Sequence, residues 1–294
     1  MATLRELKGR IGSVASSEKI TGAMKMISSA KMHRAEAELR RQLPFRRQIE
    51  TIMGNLLTAD AEFSSPLTET REVHRIGIVV FGSDDGLCGG FNINIFKELL
   101  ALINDRRDRF GAKTAFTVIP VGKKMAKACA KIKDDTIGID IPADITSKSE
   151  GDAVKNFCTH LQQQFTSGAL DRIELLYMNF QSVSRQRVKA EEYLPLEAAT
   201  ILGEGVHPSA RPCIFEPDAP TIFRSVIPLF LLSMLFEVFT ENRASEQAAR
   251  IMAMQSANDN AKKLLEQLQL EYNKLRQQSI TSELLDIIGG QINN

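Results

Sequence analysis

The sequence predicts an α/β protein in which two long terminal helices form an antiparallel coiled coil around a central α/β domain. Three observations predict it. Apolar residues recur at three- and four-residue steps at both ends of the chain. The period changes to alternating strand and helix between residues 73 and 217. More than three heptads near the C-terminus keep strict spacing, with one polar residue, Asn258, in the seam. The balance of 43% hydrophobic and 25% charged residues in 294 residues is that of a folded chain and excludes global disorder.

Residues 1–58 form the first element. Leu4, Leu7, Ile11 and Val14 follow a coiled-coil seam, and Ile20, Met24 and Ile27 continue it after a slip in phase. Pro44 removes a helical donor, so a break or kink is expected near Leu43. The pattern resumes at Ile49, Ile52, Met53 and Leu56. This segment holds 11 Lys and Arg against 5 Asp and Glu, although the whole chain is only +1. Its basic face is either simply solvated or meets an acidic partner.

Residues 59–72 are polar, contain Ser64, Ser65 and Pro66, and suit a linker. The α/β domain follows over 73–217. Ile76–Phe81, Phe116–Val121 and Ile173–Phe180 read as buried strands, and Val183–Tyr193 as an edge strand. Helical stretches fall at Ile93–Arg109, Lys123–Ile132 and about Gly151–Phe165. A mostly parallel, Rossmann-like sheet follows from this alternation.

Residues 218–294 form the last helix. Asp218 suits its N-cap and Pro220 its first turn. The apolar run Ser225–Thr240 is too short, between Pro228 and Glu237, to suggest a membrane span and is expected to pack against protein. Ile251, Met254, Asn258, Ala261, Leu265, Leu268, Tyr272 and Leu275 then mark the seam. About 70 helical residues would make a rod of roughly 100 Å. Such a rod must pair with the N-terminal helix and protrude, and a protruding coiled coil docks or transmits force before it catalyses.

Candidate chemistry is sparse. The glycine-rich stretch Gly82–Gly90 follows a strand and precedes a helix, where phosphate loops occur, but it lacks both G-x-G-x-x-G and G-K-[ST]. Asp84 and Asp85 would repel a phosphate, so a tight structural turn is the expected role. Cys88 with His74 makes a nucleophile–base pair with no third member. Cys88, Cys129, Cys158 and Cys213 show no C-x-x-C, and His33, His74, His160 and His207 are dispersed, so neither zinc nor another metal is expected. The opening residues show no apolar segment of signal-peptide type.

Four blocks carry a family resemblance: RIGSVASSEKITGAMKMISSAKM (Arg10–Met32), SDDGLCGGFN (Ser83–Asn92), IFEPD (Ile214–Asp218), and ASEQAARIMAMQSANDNAKKLL continuing into LQLEYNKLRQQSITSELLDIIGG (Ala244–Gly290). With them the chain resembles the gamma subunits of F-type ATP synthases over essentially its whole length. The resemblance implies a non-catalytic rotor shaft with no cofactor and no metal. Its terminal helices would turn inside a ring of alpha and beta subunits, with delta and epsilon subunits in the same complex and the membrane c ring below. Proton-driven rotation of the c ring would then drive conformational cycling of the beta subunits and ATP synthesis, reversibly.

Carried over by motif, Met24 and Lys25 would face the ring, as would Arg250, Arg276, Gln277, Thr281 and Glu283. Phe215 and Glu216 would face the c ring and epsilon. The implied location is the cytoplasmic face of a bacterial inner membrane. Two positions depart from the family pattern: Asp85, where a basic residue is usual, and Gln291, where the signature usually has Ala. A cysteine pair of the chloroplast type is not visible, since Cys213 stands alone. Two rival readings remain at the level of residues: a nucleotide-dependent enzyme using Gly82–Gly90, and a nucleic-acid arm using the basic first helix.

Overall fold

The computed structural model describes residues 3–57, 63–197 and 214–292, with side chains to residue 285. Cys213, His207 and linker residues 59–62 lie outside the described residues, as does the Gln291 side chain. In chain order the elements are helix α1 (Leu4–Leu57), β1 (Arg75–Phe81), α2 (Phe91–Phe110), β2 (Ala115–Val121), α3 (Lys123–Cys129), β3 (Ile137–Ile139), α4 (Asp152–Thr166), β4 (Arg172–Ser182), β5 (Arg185–Leu194) and α5 (Ala219–Ile292). The chain divides into two compact units. One is Met1–Ser29 with Arg250–Asn294; the other is Ala30–Ala249. Each long helix therefore contributes residues to both.

In the larger unit the five strands lie in the order β3-β2-β1-β4-β5. The first four are parallel, and β5 returns antiparallel on β4. Side chains alternate across the sheet with a period of two. Ile76, Ile78, Val80, Phe116, Val118 and Leu176 face a core shared with α2 and α3. Val79, Phe81, Ile119, Val121, Leu175 and Tyr177 face the opposite core. That core takes α4, the α1 residues Ile49, Met53 and Leu56, and the α5 residues Phe223 through Phe239. The apolar run of α5 thus packs against protein as expected. By composition one stretch of α5 is apolar enough to cross a membrane, with mean hydropathy 1.9, yet half of it is buried within the protein.

The sequence pattern does not predict the strand at Ile137–Ile139, whose three residues leave no room for a periodic signal. The third helix ends at Cys129 rather than Ile132. Pro44 does not end α1, which continues as helix to Leu57. The expected break is therefore corrected. Proline inside a helix costs about 3 kcal/mol, and packing on both sides of it offsets that. Ile49, Met53 and Leu56 are buried, and Arg46 pairs with Glu50 at 2.8 Å and also with Glu237 of α5. Pro44 itself is exposed, so water reaches the neighbourhood of the carbonyl that lost its donor.

Both long helices start with satisfied caps. Asp218 accepts from the Thr221 amide at 2.8 Å and from its hydroxyl at 2.9 Å, which holds the Asp218 carboxyl below its usual range. At the other end Thr3 and Glu6 form a reciprocal capping box. The Thr3 amide donates to Glu6 Oε2 at 2.8 Å, and the Glu6 amide donates to Thr3 Oγ1 at 3.3 Å.

Candidate docking surfaces

In the larger unit α1 and α5 run antiparallel, since positions rise on one as they fall on the other. Arg46 meets Glu237, Gln42 accepts from Thr240 at 3.5 Å, and Glu38 lies 3.9 Å from Arg243. In the smaller unit the same two helices meet at Asn258. Its amide donates to the Glu18 carbonyl at 2.7 Å and to Thr21 Oγ1 at 3.3 Å. A Cβ on Gly22 would lie 3.4 Å from the same nitrogen.

The C-terminal seam holds as expected: Ile251, Met254, Asn258 and Leu268 are buried. The N-terminal seam holds only in part: Leu7 is buried and Leu4, Ile11, Val14 and Met24 are half-buried, but its later isoleucines are not covered. Ile20 and Ile27 are 59% and 56% exposed, whereas Ser28 is buried and Thr21 and Gly22 are half-buried. Small and polar residues line that stretch, so the apolar side chains face outward. Met26 at 69% and Leu270 at 71% are similarly exposed. The smaller unit therefore carries apolar side chains that its own helix pair does not cover.

The expected site residues fall into two groups. Met24 and Lys25 are half-buried, and Arg276, Gln277, Thr281 and Glu283 are exposed on α5. The Thr281 hydroxyl donates to the Gln277 carbonyl at 2.9 Å, leaving the Gln277 side chain outside that bond. Arg250 differs: only 6% of it is exposed, so most of its surface is already covered within the chain. In the larger unit Phe215 packs on the α5-side core, and Glu216 is exposed.

The larger unit adds a charged cleft of about 420 Å³ that sequence spacing did not bring together. Lys31, Arg34 and Arg41 line it from α1, facing Asp85, Lys148 and Glu150. Asp85 is engaged with Lys148 Nζ at 2.8 Å, and Arg243 pairs with Glu150. Lys31, Arg34 and Arg41 make no ion pair among the described residues, so this cleft presents cations outward.

Gly82–Gly90 is the tight turn expected, and its polar groups are used internally. The Ser83 amide donates to Asn92 Oδ1 at 3.0 Å, and the Asn92 amide donates back to Ser83 Oγ at 2.7 Å. Asp84 accepts from the Lys123 amide at 3.0 Å and from the Ser147 hydroxyl at 2.8 Å. A Cβ at Gly82 would sit 2.4 Å from Met125 Cβ, which accounts for glycine there. Open α/β sheets take ligands at the carboxyl ends of their strands, where the strand order reverses. Between β1 and β4 that position holds α5: Asn242 donates to the Gly82 carbonyl at 3.1 Å and accepts from the Met178 amide at 3.3 Å.

His74 precedes β1 and Cys88 follows it, so a seven-residue strand of roughly 20 Å separates the supposed pair. No metal-binding group of three His, Cys, Asp or Glu occurs among the described residues.

Comparison with known proteins covers the chain from end to end. A family model described as ATP synthase matches residues 3–292. The ATP synthase gamma chain of Phocaeicola vulgatus is 41% identical over 293 residues, spanning 99% of this chain and 100% of that one. The gamma chain of Parabacteroides distasonis is 40% identical over 99% of this chain and 98% of its own. That of Polynucleobacter asymbioticus is 35% identical, at 99% of both. Among solved structures, a chain of the Euglena gracilis mitochondrial ATP synthase matches with a TM-score of 0.68 and 21% identity, over 98% of this chain and 93% of that chain. One from the Tetrahymena thermophila central stalk and c ring gives 0.55 and 20%, over 81% and 99%.

Proposed function

The chain belongs to the ATP synthase gamma family, and from that premise we propose that it is the central rotor shaft of a proton-translocating ATP synthase. The observation that carries this reading is the smaller unit. There α1 and α5, more than 200 residues apart in sequence, pair through a buried Asn258 and leave Ile20, Met26, Ile27 and Leu270 outward.

The shaft acts by differential contact. Alpha and beta subunits surround it, and each shaft angle favours a different conformation of each beta site, so rotation shifts populations around the ring. Arg276, Gln277, Thr281 and Glu283 meet the ring through exposed polar groups, with Met24 and Lys25 contributing from α1. Arg250, being largely covered, acts by holding its own surroundings in place. Lys31, Arg34 and Arg41 suit an acidic segment of the surrounding subunits, because unpaired cations gain most from carboxylate contacts. Phe215 and Glu216 lie toward the c ring and epsilon, and delta completes the complex.

The chain contributes no catalytic residue and no cofactor site; ATP chemistry belongs to its partners. Asn242 and Ser83 support this, since they fill the position where a nucleotide would enter the sheet. The cytoplasmic face of a bacterial inner membrane is the location in keeping with its bacterial relatives.

Single-molecule rotation tests the reading. The chain is assembled with its alpha and beta partners, the ring is fixed to a surface, and a bead is attached to the α/β domain. Addition of ATP should give unidirectional stepped rotation. Assembly and hydrolysis without rotation would reduce the chain to a scaffold.

A further inference from the structure

We propose that Asn242 and Ser245 form the joint that fixes the rotational phase of α5 against the sheet, so that twist passes between helix and α/β domain without slip. The proposal rests on the rotor reading above and deepens it by assigning the force-bearing contact inside the chain.

Most of what binds α5 to the larger unit is apolar. Phe223, Ile227, Phe230, Leu231, Met234 and Leu235 bury into the core. Apolar burial is strong but non-directional, so alone it resists separation far better than it resists rolling. Directional contacts are needed to set an angle. They are supplied further along the same helix. Asn242 donates to the Gly82 carbonyl at 3.1 Å and accepts from the Met178 amide at 3.3 Å, bridging the carboxyl ends of two adjacent parallel strands with a single side chain. Ser245, three residues on and therefore on the same helix face, donates to the Met178 carbonyl at 2.9 Å.

Both strands are held through main-chain atoms, which are fixed to the sheet and cannot swing away as side chains can. Both helix residues are buried, Asn242 at 2% exposure and Ser245 at 0%, so water does not compete for these bonds. Rolling α5 by even one residue, about 100°, would remove all three bonds and strand buried polar groups at once.

The test compares angular dispersion in the assembled complex. With the ring fixed and a bead on the α/β domain, the spread of bead angles is recorded during each ATP-waiting dwell. Among the described residues, five hydrogen bonds join α5 to the sheet and the end of β1: these three, Asn179 to Glu241, and Tyr193 to the Leu231 carbonyl. Asn242→Ala removes two of the five, so the angular variance should rise about 1.7-fold if stiffness scales with their number. Ser245→Ala removes one and should give an intermediate rise. Thermal unfolding of each isolated variant runs alongside, and S245A supplies the answer if N242A does not assemble. Reduced thermal stability with unchanged dwell variance in the assembled variant would overturn the proposal and leave these residues merely structural. Absence of rotation in the unsubstituted complex would instead overturn the rotor reading.

Discussion

The side-chain amide of Asn258 donates to the main-chain carbonyl of Glu18 across 240 residues of sequence, at 2.7 Å. That carbonyl lies within α1 and also accepts from the Thr21 hydroxyl at 3.0 Å, so removing the Asn258 bond leaves no orphan. Asn258→Ala should therefore cost near the middle of the usual range, about 1 kcal/mol. Hydrogen exchange locates the loss: amides around Glu18–Gly22 and Met254–Ala261 should exchange faster, while those of β1 and β4 stay unchanged. Asn258→Leu should recover stability while losing the polar constraint on register.

Gly9 and Gly12 sit in the interior of α1, and a Cβ at either would meet nothing within 4 Å. Glycine is poor in helices because it gives up the most backbone entropy. Gly12→Ala should raise the stability of the isolated chain by about 0.5–1 kcal/mol, measured by urea unfolding. If assembly with alpha and beta subunits weakens in the same variant, Gly12 faces a partner in the complex; unchanged assembly would place it on an open face.

Cys129 is fully buried, and burial pushes its thiol up to about 12. Only the thiolate is nucleophilic, so at pH 8 the reactive fraction is about one in 10,000, roughly a thousandfold below that of an unfolded cysteine. Alkylation followed by mass spectrometry should find Cys129 unmodified in the native chain and modified after denaturation. Rapid native labelling would contradict the burial of α3 against the sheet.

The elements most legible in the sequence are those whose burial repeats. Ile76–Phe81 and Ile173–Phe180 show themselves because a strand covered on both faces must be apolar throughout. Asn258 is legible because one polar residue interrupts an otherwise apolar seam. The capping box at Thr3 and Glu6 carries a local signal too, a T-x-x-E pattern that apolar periodicity does not single out. Ile20 and Ile27 mislead for a physical reason: periodicity identifies an apolar face without saying whether this chain or a partner covers it. Asn242 gives no local signal at all. Its meaning comes from two strand ends that only the folded sheet places beside α5, and the charged cleft at Lys31, Arg34 and Lys148 is hidden in the same way.

Glu241 tests the buried polar contacts of α5 by pH. Its carboxyl is buried, and burial raises its pKa above the ordinary 4.5, against the lowering effect of the Asn179 amide that donates to it at 2.8 Å. The native state then holds this proton more tightly than the unfolded state. Stability must fall as pH rises from about 4.5 through the raised native value, with the penalty fully present above it. Glu241→Gln keeps an acceptor for Asn179 and removes the charge. The variant should be more stable than the parent at pH 7, and the difference should shrink toward zero below pH 4.5. A constant difference at all pH values in urea titrations would mean that side-chain shape, not charge, accounts for the effect.

Arg276 and Gln277 separate interface from fold. Both are exposed on α5, and the hydrogen bond at this level uses the Gln277 main-chain carbonyl, which substitution leaves in place. Changing both to Glu should therefore alter the stability of the isolated chain by no more than about 0.5 kcal/mol, seen as an unchanged urea midpoint. If these residues meet the ring as proposed, the same change in the assembled enzyme reverses the charge presented there. Like-charge or unpaired buried contacts at an interface cost more than exposed ones, so transmission should suffer while the partners' catalytic sites remain intact. The expected outcome in membrane vesicles is a fall in ATP-driven proton pumping relative to ATP hydrolysis. Pumping that stays in full proportion to hydrolysis would remove these two residues from the coupling surface, and the outward apolar residues Met26 and Leu270 would then be the next positions to reverse.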